Sequence, residues 1–192
     1  MPRDLIVTEN ITVDGVIDAS GGWFVPAGAE EPEHVAEMRA VEERLRATAD
    51  ALLVGRKTFE SFRGYWPHQT DDQTGVSEYL NHVDKYVISS TLTDPDWTGT
   101  TVLRGDLAEE VAALKNKPGG DIVATGSITL VHALNRTGLV DEYRLFVYPT
   151  VMGEGRRLFE EPLDKPSLKL VEAHPFNSGI ALLRYRTNEG TP

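Results

Sequence analysis

The sequence has no cysteine among its 192 residues. That absence excludes disulfides, thiolate nucleophiles and cysteine-ligated zinc. Long apolar runs are missing too. No stretch approaches the ~18 residues of a membrane helix, and the opening MPRDLIVTEN has no apolar h-region, so neither a span nor a signal peptide is expected. Positive charge is in deficit: 19 Lys and Arg stand against 30 Asp and Glu, a net charge of −11. Nucleic acid is therefore not the expected partner, because phosphate backbones are held by clustered cations. The histidines, His34, His68, His82, His132 and His174, are scattered without an H-x-x-x-H pair, and no metal is expected. These absences together fit a soluble cytoplasmic protein. Repeats and low-complexity linkers are also lacking.

What is present reads as one domain, 1–192, long enough for a real core. Leu5-Ile6-Val7 opens a strand that alternates through Ile11 and Val13 until Asp14-Gly15 turns it. Gly21-Gly22 and Pro26 mark a loop carrying Trp23 and Phe24. Val35, Met38, Val41 and Leu45 then share one helical face. Buried strands are expected at 51–54, 85–88 and 122–124, a short one at 101–103, and a longer one from Glu142 to Pro149. Helices are expected from Lys57, near Val76, from Leu107 to the Pro118-Gly119-Gly120 stop, and from Ser127 to Gly138. Residues 168–173 and 180–186 read as a closing hairpin. Strands that alternate with helices and end in a hairpin make an α/β fold, with a central, mainly parallel sheet, a C-terminal antiparallel hairpin and helices on both faces.

Ligands of such sheets sit beyond the carboxyl ends of the strands. Three loops follow buried strands directly: Gly55-Arg56-Lys57-Thr58, Ser89-Ser90-Thr91 and Thr125-Gly126-Ser127. A helix N-terminus offers free N–H groups and partial positive charge to a phosphate. Arg56 and Lys57 oppose that dipole and are better explained by an anion between them. Each loop alone is a weak signal with an ordinary turn as its alternative. Three together suggest a nucleotide with phosphates at separate places.

GRKTFESF at residues 55–62 resembles the motif at the start of the second long helix of dihydrofolate reductases, and KYVISSTL resembles their next strand and its adenosine-side loop. ITVDGVIDASGGW and GSITLVHALNRTGLVDEYRLFVYPTVMGEGRRLF resemble the RibD C-terminal domain, the riboflavin-biosynthesis reductase branch of the same superfamily. The likeness runs in order from about residue 3 to 187. It implies a dihydrofolate reductase-like fold and an NADPH-dependent reductase, similar to 5-amino-6-(5-phosphoribosylamino)uracil reductase, that delivers hydride to a C=N or C=O of a pyrimidine or pteridine-like substrate. The alternatives are dihydrofolate reductase itself and a non-catalytic NADP-binding protein of the same fold.

Carried onto this chain, the resemblance implies that Gly55, Arg56, Lys57 and Thr58 hold the pyrophosphate and 2′-phosphate side. Ser89 and Ser90 would bind the adenosine ribose or its phosphate, and Thr125, Gly126, Ser127 and Ile128 would cradle the pyrophosphate. Asn10 and Ile17 would lie near the nicotinamide, with Trp23, Trp66, Tyr148 and the first helix lining the substrate pocket. Counting back from Gly55 puts Arg39 where dihydrofolate reductases carry their pterin-binding acid, which leaves Asp18 and Glu37 as the acidic catalytic candidates. The zinc deaminase partner of the riboflavin enzyme has no counterpart in a chain without cysteine. The family further implies a homodimer paired through the C-terminal part of the sheet.

Overall fold

The apolar runs become strands and the 3.6-residue patterns become helices over residues 2–24, 32–163 and 167–187, the parts that a computed structural model of the chain describes. In chain order the elements are β1 (Leu5–Thr12), α1 (Pro32–Arg46), β2 (Ala49–Gly55), α2 (Arg56–Tyr65), α3 (Val76–His82), β3 (Asp84–Ile88), β4 (Thr100–Leu103), α4 (Leu107–Lys115), β5 (Asp121–Thr125), α5 (Ile128–Thr137), β6 (Glu142–Tyr148), β7 (Leu168–Pro175) and β8 (Ala181–Thr187). Short 3-10 turns at Ala19–Gly21 and Trp66–His68 sit inside stretches that read as loops. Pro26, in the expected Trp23 loop, lies outside the described residues.

The eight strands form one sheet in the order β4-β3-β2-β5-β1-β6-β8-β7. Every pair from β4 to β6 is parallel, and β8 is antiparallel to both β6 and β7. The chain walks outward from β1 through β2 and β3 to β4. It then returns to place β5 between β2 and β1, and β6 on the other side of β1. Right-handed crossovers in opposite directions send their helices to opposite faces.

The packing follows that rule. On one face Leu5, Val7, Leu53 and Ala124 pack with Val111 and Leu114 of α4 and Val131 and Leu134 of α5. On the other, Leu52 and Val54 meet Phe59 of α2 and Leu80 of α3, while Leu45 of α1 joins Phe146, Phe176 and Leu182. Burying each such side chain fully is worth about 1.5–3 kcal/mol. The mainly parallel sheet, the closing hairpin and helices on both faces are as the patterning led one to expect. Strands β2 and β5 are covered on both sides and read as continuous apolar runs, whereas the edge strand β7 is largely exposed.

Two details position the site. Helix α2 begins at Arg56, one residue before the expected Lys57, because extended Gly55 is its N-cap. At the far end of α1, buried Arg144 donates to Leu45 O at 2.8 Å and Arg44 pairs with Glu172 of β7 at 2.5 Å. A cation at that end satisfies carbonyls and the helix dipole, and it fixes α1 over the sheet.

Candidate active site

Strands β2 and β5 are neighbours, with Leu53 level with Ala124, so the turns that follow them lie side by side. Gly126 has φ +65°, and a Cβ there would come within 3.3 Å of Thr58 Cγ2. Ser127 Oγ accepts the Gly55 N–H at 2.9 Å and donates to Thr58 Oγ1 at 2.7 Å, and that hydroxyl donates to Gly126 O at 3.0 Å. Ser127 therefore makes no side-chain cap on α5. Its hydroxyl instead ties the N-termini of α2 and α5 together, joining two positive dipole ends. Thr125 closes β5 opposite Thr8, and Ile128 anchors the first turn of α5 in the core. Arg56 reaches both oxygens of Glu60 at 3.2 Å, an i,i+4 pair that offsets part of its charge, and Lys57 is exposed.

Ser89, beyond β3, accepts at Oγ from the backbone N–H of Thr91 at 3.2 Å and of Leu92 at 3.0 Å, and Ser90 is exposed. Arg104, just past β4, donates to Ser89 O at 3.2 Å and Leu92 O at 2.6 Å. This cation at the outer loop was not singled out in the sequence. Its position directly after Val102-Leu103 was the available signal.

Glu9 was also missed. It stands on the core-facing side of β1 with Val7 and Ile11, level with Leu145 of β6, and is 5% exposed. Its Oε1 accepts the Gly126 N–H at 2.9 Å. Burial pushes its carboxyl up to about 8, against the smaller downward pull of that hydrogen bond, so the group is largely neutral at pH 7. An acid at a core position of LIVTENITV was the sequence sign.

Successive residues of a strand face opposite ways, and Asn10 faces a pocket on the α1 side. Asn10 and Tyr148 line it from the sheet, Val35, Met38, Arg39 and Glu42 from α1, and Thr74 and Phe24 complete it. Tyr148 stands edge-on to Trp23 and Phe24, with ring centres 5.5 and 5.8 Å apart. Arg39 donates to Glu43 at 2.6 Å and to Gln73 O at 2.9 Å. Glu42 pairs with Arg46, yet burial raises its carboxyl above the usual range.

The other candidates stand elsewhere. Glu37 Oε2 accepts from Asn177 N at 3.0 Å and Asn177 Nδ2 at 3.2 Å, clasping α1 to the β7–β8 turn. Glu42, five residues on, is the acid that lines the pocket. Asp18 caps the Ala19–Gly21 turn through Ser20 N at 2.9 Å, a bond that lowers its pKa, and its carbonyl accepts from the Trp23 indole at 2.7 Å. Ile17 is buried in the core, its N–H on Arg156 O at 2.9 Å. Trp66 packs beside the α2 and α3 core rather than lining the pocket. Asp14, bonded by Thr12 and by the N–H groups of Gly153 and Met152, is held down to about 2 and pins the 153–157 loop.

The match to known proteins follows this architecture. The family model of the RibD C-terminal domain covers residues 3–182. The chain is 35% identical over 141 residues to the uncharacterized protein YyaP of Bacillus subtilis (strain 168), spanning 72% of this chain and 74% of that one. A pyrimidine reductase-like protein from Corynebacterium diphtheriae superposes with a TM-score of 0.65 at 16% identity, over 98% of this chain and 93% of the other. Dihydrofolate reductase from Enterococcus faecalis, complexed with NADP(H), superposes with a TM-score of 0.62 at 18% identity, over 97% of each chain. The structural likenesses show a dihydrofolate reductase fold. The family match takes in every element from β1 to the start of β8, so the chain belongs to the RibD C-terminal domain family.

Proposed function

We propose that this protein is an NADPH-dependent reductase of a pyrimidine or pteridine-like substrate, resembling 5-amino-6-(5-phosphoribosylamino)uracil reductase. The observation that carries the reading is the pairing of two half-sites across one strand: a cradle of two joined helix N-termini near Glu9, and a pocket at Asn10 lined by Phe24, Met38 and Tyr148. The residues fit the cofactor. Gly126 leaves open the space a Cβ would take beside Thr58, Lys57 is exposed at the cradle, and Ser90 is exposed at the outer loop.

In this reading Gly55 to Thr58 and Thr125 to Ile128 hold the pyrophosphate. Ser89, Ser90 and Arg56 take the 2′-phosphate end, and Asn10 and Ile17 border the nicotinamide. Bound NADPH supplies hydride. Phe24, Met38 and Tyr148 give a flat ring an apolar bed, and Glu42, its carboxyl raised by burial, stands at the pocket wall beside the ring. The pyrimidine reductase-like name of the Corynebacterium protein supports the substrate class. The same reading takes the chain as one domain that works in the cytoplasm as a homodimer paired along β7, where Leu170 and Val171 are exposed. Among the described residues no helix is long and apolar enough to cross a membrane.

The test is a titration of NADPH and NADH by tryptophan fluorescence, with wild type and Arg56→Ala, followed by assays of aminouracils and pterins at the reduced-cofactor absorbance. Arg56→Ala is expected to weaken NADPH by roughly tenfold to a hundredfold, the worth of a charge-assisted contact, and NADH far less. Equal losses would remove Arg56 from the 2′-phosphate. Absence of saturable NADPH binding would overturn the reading as a whole.

A further inference from the structure

We infer that Glu9 is a positioning residue through which pH controls anion binding at the Gly126 turn: as a neutral acid it holds the turn, and as a carboxylate it repels a phosphate seated there. The inference rests on the reading of Thr125 to Ile128 as the phosphate cradle.

The geometry is specific. The carboxyl lies under the turn, bonded at 2.9 Å to the N–H of the glycine whose left-handed backbone shapes it. It is 5% exposed, among Val7, Ile11 and Leu145. An amide would make the same bond without a titratable proton.

The charged groups on the surrounding elements have other partners or other places. On α2, Arg56 pairs with Glu60 and Lys57 is exposed. On α5, His132 is held by Arg157 O and the Arg156 guanidinium, and Arg136 lies near Glu161. In the 153–157 loop Arg156 pairs with Glu160 and Arg157 with Asp14, while Asp18 caps Ser20. In β6, Glu142 and Arg144 pair with each other, in β2 Asp50 pairs with Arg3, and in β5 Asp121 accepts from Thr48. Burial and the Gly126 N–H alone shift Glu9. Its charge, once formed, is uncompensated in a medium of low dielectric, where like-charge repulsion is strong. Linkage is reciprocal, so a bound anion raises the affinity of Glu9 for its proton as much as that proton raises the affinity for the anion.

The experiment measures the Kd of NADPH and of ADP-ribose from pH 6.5 to 9.5, for wild type and the isosteric Glu9→Gln. With a midpoint about 8, binding by the neutral form alone predicts an approximately tenfold weaker wild-type Kd at pH 9 than at pH 7, and a flat profile for Glu9→Gln. Profiles of the same slope in both proteins overturn the inference and leave the proposed function standing. If NADPH does not bind at any pH, the proposed function falls, and the ADP-ribose profiles decide the inference: a slope removed by Glu9→Gln supports it, and equal slopes or no binding overturn it. Should Glu9→Gln fail to fold, a wild-type Kd that stays flat to pH 9.5 overturns it, and a tenfold rise abolished in Glu9→Asp, whose shorter side chain cannot keep the acid under Gly126, supports it.

Discussion

On one side of β1 the cradle is built of turns whose backbone and hydroxyl groups bond to one another across the ends of β2 and β5. On the other side the pocket is built of side chains standing on α1, at positions 35, 38, 39 and 42, against Asn10 and Tyr148. The first depends on backbone conformation, and replacing Gly126 changes it at once. The second depends on which side chains a helix presents, and the helix tolerates many. Chemistry shared by all phosphates suits the first construction, and discrimination among rings suits the second.

The largest expected effect tests what lies under the cradle. Glutamate titrates near 4.5 in the unfolded chain and about 8 in the fold. Between those values the native state keeps a proton that the unfolded state has lost, so stability falls as pH rises. Glu9→Gln removes that loss. Its gain over wild type is nil below pH 4.5 and grows to roughly 4–5 kcal/mol above pH 8, read by urea denaturation across pH 4–9. A gain independent of pH would contradict a buried neutral acid.

Gly126→Ala attacks the cradle itself. A left-handed backbone costs a non-glycine residue about 1–2 kcal/mol, and the new methyl meets Thr58 Cγ2. Denaturation should show that loss, and NADPH affinity should fall with it, while the near-ultraviolet signal of Trp23 beside Tyr148 stays unchanged. A change confined to that signal would mean that the two half-sites are not separate constructions.

The smallest effect separates the two acids of α1. Glu37→Gln should change stability by about 0.5 kcal/mol or less and leave turnover unchanged, because its partner Asn177 is exposed. Glu42→Gln, at the pocket wall, should instead lower turnover. The opposite pattern would return the role to Glu37.

The legibility of the molecule divides along the same line. Strands β2 and β5 were readable because burial on both faces demands continuous apolar runs, and Gly126 because a turn at positive φ favours glycine. Glu42 was hard to assign because position 42 reads as the polar face of an ordinary amphipathic helix. Only the placement of α1 over Asn10, set by Arg144 and by Glu172 far along the chain, turns that face toward a pocket. Trp66 illustrates the converse. The family resemblance implied a pocket wall there, but the 3-10 turn that continues α2 carries the side chain to the packing around Phe59.

The alternation of Glu9 and Asn10 on β1 makes that strand a partition between the Gly126 turn on one side and the α1 pocket on the other. In the proposed function, substitutions along α1 would refit the pocket for another heterocycle while the glycine turn, anchored to β2 and β5, keeps its shape. A one-residue slip of β1 would turn every side chain to the opposite face and take the acid from beneath the glycine turn. Its parallel neighbours on both sides, β5 and β6, hold β1 in register from Leu5 through Thr12. New specificities can therefore arise by change of furniture, without moving the wall.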